Sequence, residues 1–311
     1  MCSSDLAALE WYGVPFNSVT PDDDTREQLS ARAGTHQIPI LESPFGWTVA
    51  DTTPTLMWLD SLFPRCRLFP VGLNGLLVHL LEDVLDEWVS RVMVHYRWHH
   101  PVNTRFVIEG LVGRALSDDE IKQHPLARWG PRACRATGTE SAQQQAAAEQ
   151  EYLALLDALE TQLGVTRYAL GDCPSAVDAA LIGGLRGHTL HDPLPNLSAY
   201  PRVCAWSQHT TPWDGDGNLS DPLQPTPFAE HLLGLARTCY QAFMCANRDA
   251  LDDGQKAFSI DVYGEQVSFL TRAYPETARR MLVQRIDHGF DEHQREQVSQ
   301  ALATWGVSRC F

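Results

Sequence analysis

The sequence predicts a small α/β unit followed by a predominantly helical region. Residues 1–64 alternate short helix-like and strand-like stretches. From Leu77 onward, apolar residues recur at three- and four-residue steps. A single later stretch, around 257–270, returns to two-residue alternation and reads as a hairpin. At 311 residues the chain is long enough for two domains and a sizeable core, and 44% apolar with 20% charged residues is ordinary globular composition.

Taken in order, Ser3 to Tyr12 reads as a short helix stopped at Gly13, and Val14–Val19 alternates like a strand. Three carboxylates, Asp22, Asp23 and Asp24, precede a helix over Thr25–Ala33, where they suit the positive end of its dipole. Strands are expected around Ile38–Glu42 and Gly46–Val49, then a helix from Thr53 to Leu62 closed by Pro64. Residues 65–72 read as a linker.

Beyond it, Leu77, Leu80, Leu81, Val84, Leu85, Trp88, Val89 and Val92 form one apolar stripe. Asp83, Glu87 and Arg91 fall on another face at four-residue spacing, which predicts a solvated side with weak ion pairs. Ser117 with Glu120, and Ser175 with Asp178, have capping-box spacing. Gly183, Gly184 and Gly187 crowd one helix; glycine costs a helix about 1 kcal/mol against alanine, so close backbone packing is expected there. Helices over Phe228–Ala250, Glu276–Ile286 and Glu292–Trp305 complete the chain, with the hairpin turning around Tyr263-Gly264-Glu265-Gln266 and its glycine read as the first turn residue.

Net charge is −15, which disfavours nucleic acid and anionic membranes as partners. Cys2, Cys66, Cys134, Cys173, Cys204, Cys239, Cys245 and Cys310 are scattered without a C-x-x-C pair, as expected of reduced thiols in a cytoplasmic protein. Met1 to Asp5 has no signal-peptide character, and no run has the length of a membrane span. His95 and His99 stand four residues apart, a spacing that can share a metal. No carboxylate stands at the matching spacing, so no metal is expected. The Asp214–Asn218 stretch fails as a calcium loop because its sixth position is Leu219 and its twelfth is Pro225.

Ile38-Pro39-Ile40-Leu41-Glu42, with Asp51-Thr52 about ten residues on, is the most informative stretch. Proline has no N–H to give a strand ladder, so Pro39 fits either a strand that begins there or a cis bond at a functional edge. Together with Ala8–Phe16 and Leu170–Asp178, this stretch resembles the glutathione S-transferase superfamily over roughly residues 1–208. The resemblance implies a thioredoxin-like glutathione-binding domain over 1–66, an all-helical domain over 73–208 and a helical extension over 209–311. It implies that Ile38 and Pro39 contact the cysteinyl backbone of glutathione, and that Asp51 and Thr52 hold its γ-glutamyl end. Tyr96 and Trp98 would border an acceptor pocket for a small hydrophobic electrophile, and the protein would be a homodimer.

The pattern departs at its start. The family begins with a strand that leads to the catalytic Ser, Tyr or Cys; aligned here, that strand and that residue fall before Met1. Either the start is truncated, or the member is degenerate, or Cys2 or Ser3 substitutes. A transferase and a non-catalytic binding or scaffold protein are both consistent with these residues.

Overall fold

The computed structural model describes residues 3–19, 22–35, 39–209, 211–213 and 226–311. Helix α1 (Ser3–Trp11) buries Ala7, Ala8 and Trp11. Helix α2 (Asp23–Ala33) is capped by the Asp22 carboxylate, which accepts from Thr25 N, and ends at Gly34 with φ 70°. Strands β1 (Ile40–Glu42) and β2 (Thr48–Ala50) pair antiparallel with Ile40 opposite Ala50, and α3 (Thr52–Leu62) follows at once. This small α/β unit precedes a helical body, as expected.

Val14–Val19 is not a strand. Among the described residues no strand lies beside it, so its backbone has no ladder to join, and residues 15–19 are exposed.

The helical body is built around one long run. Helix α4 (Gly72–Asp83) passes into a π-helical segment (Val84–Val89) and then into α5 (Ser90–His99). Pro101 supplies the first turn of α6 (Pro101–Val112), where its missing N–H costs nothing. Then come α7 (Asp118–Gln123), α8 (Pro125–Ala136), α9 (Ala142–Gln162) and α10 (Ala176–Gly184). A second π-helical segment (Leu185–Thr189) extends α10, and α11 (Pro201–Ser207) follows.

Both expected capping boxes form. Asp178, buried at the start of α10, accepts from Ser175 N, Ser175 Oγ and Ala169 N at 2.7–2.9 Å. The tight glycine packing is real at Gly183: a Cβ there would lie 1.8 Å from Ser4 Oγ on α1.

The chain beyond residue 226 is woven into the helical body. Helix α12 (Pro227–Leu235), a third π-helical segment (Ala236–Tyr240) and α13 (Gln241–Asp252) lie against α4, α9 and the first π-helical segment. The hairpin β3 (Ala257–Val262) and β4 (Glu265–Leu270) turns through Tyr263 at φ 53° and Gly264 at φ 81°. Two successive positive φ values match the right-handed twist of the strands, and the glycine is the second turn residue rather than the first. Helices α14 (Ala273–Gly289) and α15 (Glu292–Trp305) close the chain.

This packing overturns the solvated face predicted for Asp83, Glu87 and Arg91. The Asp83 and Arg91 residues are 3% and 2% exposed, and the Glu87 side chain 7%. Tyr240 OH donates to Asp83, Arg272 reaches Glu87 at 3.4 Å, and Arg91 pairs with Glu151 at 2.8 Å while lying 4.3 Å over Trp88. Four-residue periodicity marks a face but does not say whether a distant segment will cover it.

Candidate functional site

The turn into α3 draws together two of the residues expected to bind a ligand. Asp51 N donates to the Pro39 carbonyl at 3.2 Å, and the Asp51 carboxylate caps the helix by accepting from Thr52 N at 2.7 Å. The Asp51 carbonyl in turn accepts from Thr55 Oγ1 at 2.7 Å. Asp51 sits at φ 77°, a left-handed conformation that costs a non-glycine residue on the order of 1–3 kcal/mol. Surrounding bonds hold it there, and Thr52 is thereby presented to a cavity between α1, α3 and the helical body.

That cavity measures about 190 Å³. Ser4, Thr52, Glu82, Asp86 and Ser90 supply its polar wall, and Met93, Leu155, Leu159 and Leu181 its apolar one. Two of the π-helical segments contribute to it: Leu85, Asp86 and Val89 come from the first, Leu185 and His188 from the second. A π turn widens the helix by one residue and re-aims the side chains that follow, a device that recurs at binding sites.

The polar end is acidic. Burial, opposed by a hydrogen bond from Thr52 and reinforced by Asp51 and Asp86, pushes Asp5 up to about 7. Burial pushes Asp83 up to about 7 against the Tyr240 hydrogen bond. Asp51 is raised by burial, and Glu82 is raised by burial together with Asp86 and Asp83. Thr53 Oγ1 donates to Glu82 at 3.0 Å. Asp86 is the exposed residue among these, and Asp51 is half-buried. Of these acids Glu82 and Asp86 line the cavity, and in their ionised forms they attract an ammonium group and repel a thiolate or a phosphate. At its far end His188 is pushed down to about 3 by burial and the nearby Arg97, so its ring is neutral.

Of the residues singled out in the sequence, Cys2 and Ile38 lie outside the described residues, as does Asp214–Asn218. Pro39, Asp51 and Thr52 come together as above. Tyr96 and Trp98 do not line the cavity: Tyr96 stacks on His100 and Trp98 packs edge-on to Trp129. Glu82, Asp86 and His188 were missed. Two acids four residues apart inside an apolar helix were the available signal for the first two; His188 had none.

Two further clusters join residues distant in sequence. Glu149 of α9 meets the histidines at the end of α5, with Oε1 at 2.7 Å from His95 Nε2 and 3.3 Å from His100 Nε2. The carboxylate that sequence spacing could not supply therefore arrives from another helix. Cys245 and Cys310 place their sulfurs 3.8 Å apart, although nothing in their spacing pairs them.

Residues 109–211 match the family described as glutathione S-transferase, C-terminal domain. Over those residues the helical body is similar to a glutathione S-transferase C-terminal domain. A search of curated proteins finds no match. Among solved structures, beta-etherase LigF from Sphingobium sp. is similar at 18% identity over 74% of this chain and 93% of that one, with a TM-score of 0.46. Gtt2 from Saccharomyces cerevisiae is similar at 18% identity over 74% and 94%, TM-score 0.41. Glutathione S-transferase 1-6 from Anopheles dirus species B is similar at 17% identity over 67% and 82%, TM-score 0.38. These overlaps are partial, and the likeness to the glutathione S-transferase family rests on the domain match over residues 109–211.

Proposed function

We propose that the protein binds glutathione at the turn into α3, with the γ-glutamyl end at Asp51 and Thr52 and the cysteinyl backbone along Ile38–Pro39. The observation that carries this reading is the strained Asp51, tied to the Pro39 carbonyl and opening Thr52 and the α3 amino terminus onto the cavity. Helix N–H groups and a hydroxyl suit the γ-glutamyl carboxylate, while Asp51, Glu82 and Asp86 suit its ammonium. The apolar wall then receives a small hydrophobic electrophile, to which the thiol is transferred or which is reduced or isomerised. A cytoplasmic homodimer is the setting this reading implies.

A second reading, a non-catalytic glutathione-binding or scaffold protein, is favoured by the sign of the cavity. Buried carboxylates raise the pKa of a neighbouring thiol, opposing the thiolate that transfer needs. Catalysis then depends on a group near the start of the chain, for which Cys2 is the candidate. Isothermal titration with glutathione tests the site. Asp51→Ala and Thr52→Ala should each weaken binding about tenfold, the loss of roughly 1.4 kcal/mol. Parental affinity in the double variant overturns the assignment. Glutathione binding without turnover of an activated aryl halide decides for the second reading.

A further inference from the structure

We infer that His95, His100 and Glu149 form a binding site for a first-row divalent transition-metal ion, zinc by donor set, which joins the α5–α6 junction to α9. The site is separate from the acidic cavity, whose lining includes none of the three. Their donor atoms all lie within 4.8 Å of one another. With metal–ligand lengths near 2.0–2.1 Å in a tetrahedral site, neighbouring donors on one ion stand about 3.3 Å apart. The 3.3 Å from Glu149 Oε1 to His100 Nε2 matches that spacing, and the 2.7 Å to His95 Nε2 is a hydrogen-bond distance that an ion between the two would widen. Two imidazoles and one carboxylate suit zinc and its first-row neighbours far better than magnesium or calcium.

The surroundings are arranged as metal sites require. His95 Nδ1 lies 2.8 Å from His99 Nδ1, so the pair shares one proton. With that proton on His95 Nδ1 and donated to His99, the lone pair of His95 Nε2 faces Glu149, and two lone pairs in opposition call for a cation between them. A ligating histidine whose second nitrogen donates to a neighbour is the usual outer-shell pattern. The His100 ring is steadied by stacking on Tyr96, with centroids 5.4 Å apart and planes at 21°. The His95 side chain is 2% exposed, while His100 at 31% and Glu149 at 36% leave one side open for approach and for a water ligand. The competing arrangement is a proton-only network with His95 Nε2–H on Glu149, and ion titration separates the two.

The test uses the full-length protein after treatment with a chelator, titrated with Co²⁺ and then with Zn²⁺. One equivalent of Co²⁺ should give a visible ligand-field spectrum that Zn²⁺ abolishes, and Zn²⁺ should raise the melting temperature. His100→Ala and Glu149→Gln, both at the solvent edge, should weaken Zn²⁺ binding at least tenfold with the circular dichroism spectrum unchanged. His99 is a positioning residue acting through His95, so His99→Gln should weaken binding and shift the Co²⁺ bands. His293→Ala, exposed on α15, should leave both unchanged. Absence of a one-equivalent Co²⁺ spectrum, or parental Zn²⁺ affinity in both His100→Ala and Glu149→Gln, overturns the proposal.

Discussion

Cys245 stands apart from the other described thiols. Its pKa is drawn down to about 7, chiefly by the hydrogen bond from Cys310, with Arg248 and Arg279 adding positive charge. Burial pushes Cys134 and Cys239 up to about 11 and Cys66 up to about 12. The thiolate is the nucleophile, so near neutral pH Cys245 carries far more of it than those three. Iodoacetamide at that pH should label Cys245 at least tenfold faster than Cys66, Cys134 or Cys239, read by peptide mass spectrometry. Cys310→Ser should slow the labelling of Cys245, and equal rates among these thiols would refute the assignment. Single residues were legible in the sequence where the signal was local: Asp51 and Thr52 stand one after the other at a helix start, and Pro39 announces itself. Cys245 with Cys310, or Glu149 with His95, are pairs made by tertiary packing, which no spacing rule reports.

Elements followed the same division. The caps at Ser117–Glu120 and Ser175–Asp178 could be read directly, because each satisfies backbone N–H groups within four residues. The Val14–Val19 stretch alternates correctly yet forms no strand, since a strand also needs a partner. The acids between α4 and α5 were read as solvent-facing when a later segment buries them. Asp83 tests the cost of that burial. It ordinarily titrates near 3.8 and is pushed up to about 7, so the folded chain binds its proton more tightly than the unfolded chain. That contribution to stability is complete below the unfolded value and lost as pH rises through about 7. Asp83→Asn keeps an oxygen to accept from Tyr240 but carries no charge. The variant should melt with the parent at pH 4 and about 3–6 °C above it at pH 8, by calorimetry. An equal melting temperature at pH 8 would show that Asp83 carries no such burden.

At the scale of the whole molecule, the family match ends at residue 211, yet the core does not. Phe228, Leu232, Leu233, Tyr240, Phe243 and Phe269 are each 0–2% exposed, and Trp88 of the long helical run lies 5.9 Å from Phe243 and 6.2 Å from Phe269. Burying six such side chains contributes on the order of 10 kcal/mol, comparable to the entire net stability of a typical domain. The same segment brings Tyr240 to Asp83 and Arg272 to Glu87, so its removal would also strand two buried carboxylates. A chain ending at residue 209 should therefore lack a cooperative thermal transition, bind a hydrophobic dye and accumulate as aggregate, while the full chain melts in one step. A soluble 1–209 fragment with a sharp transition would make the later residues an appendage; the packing of α12 against α4 and α9, and of the third π-helical segment against the first, argues that they are a wall of the domain.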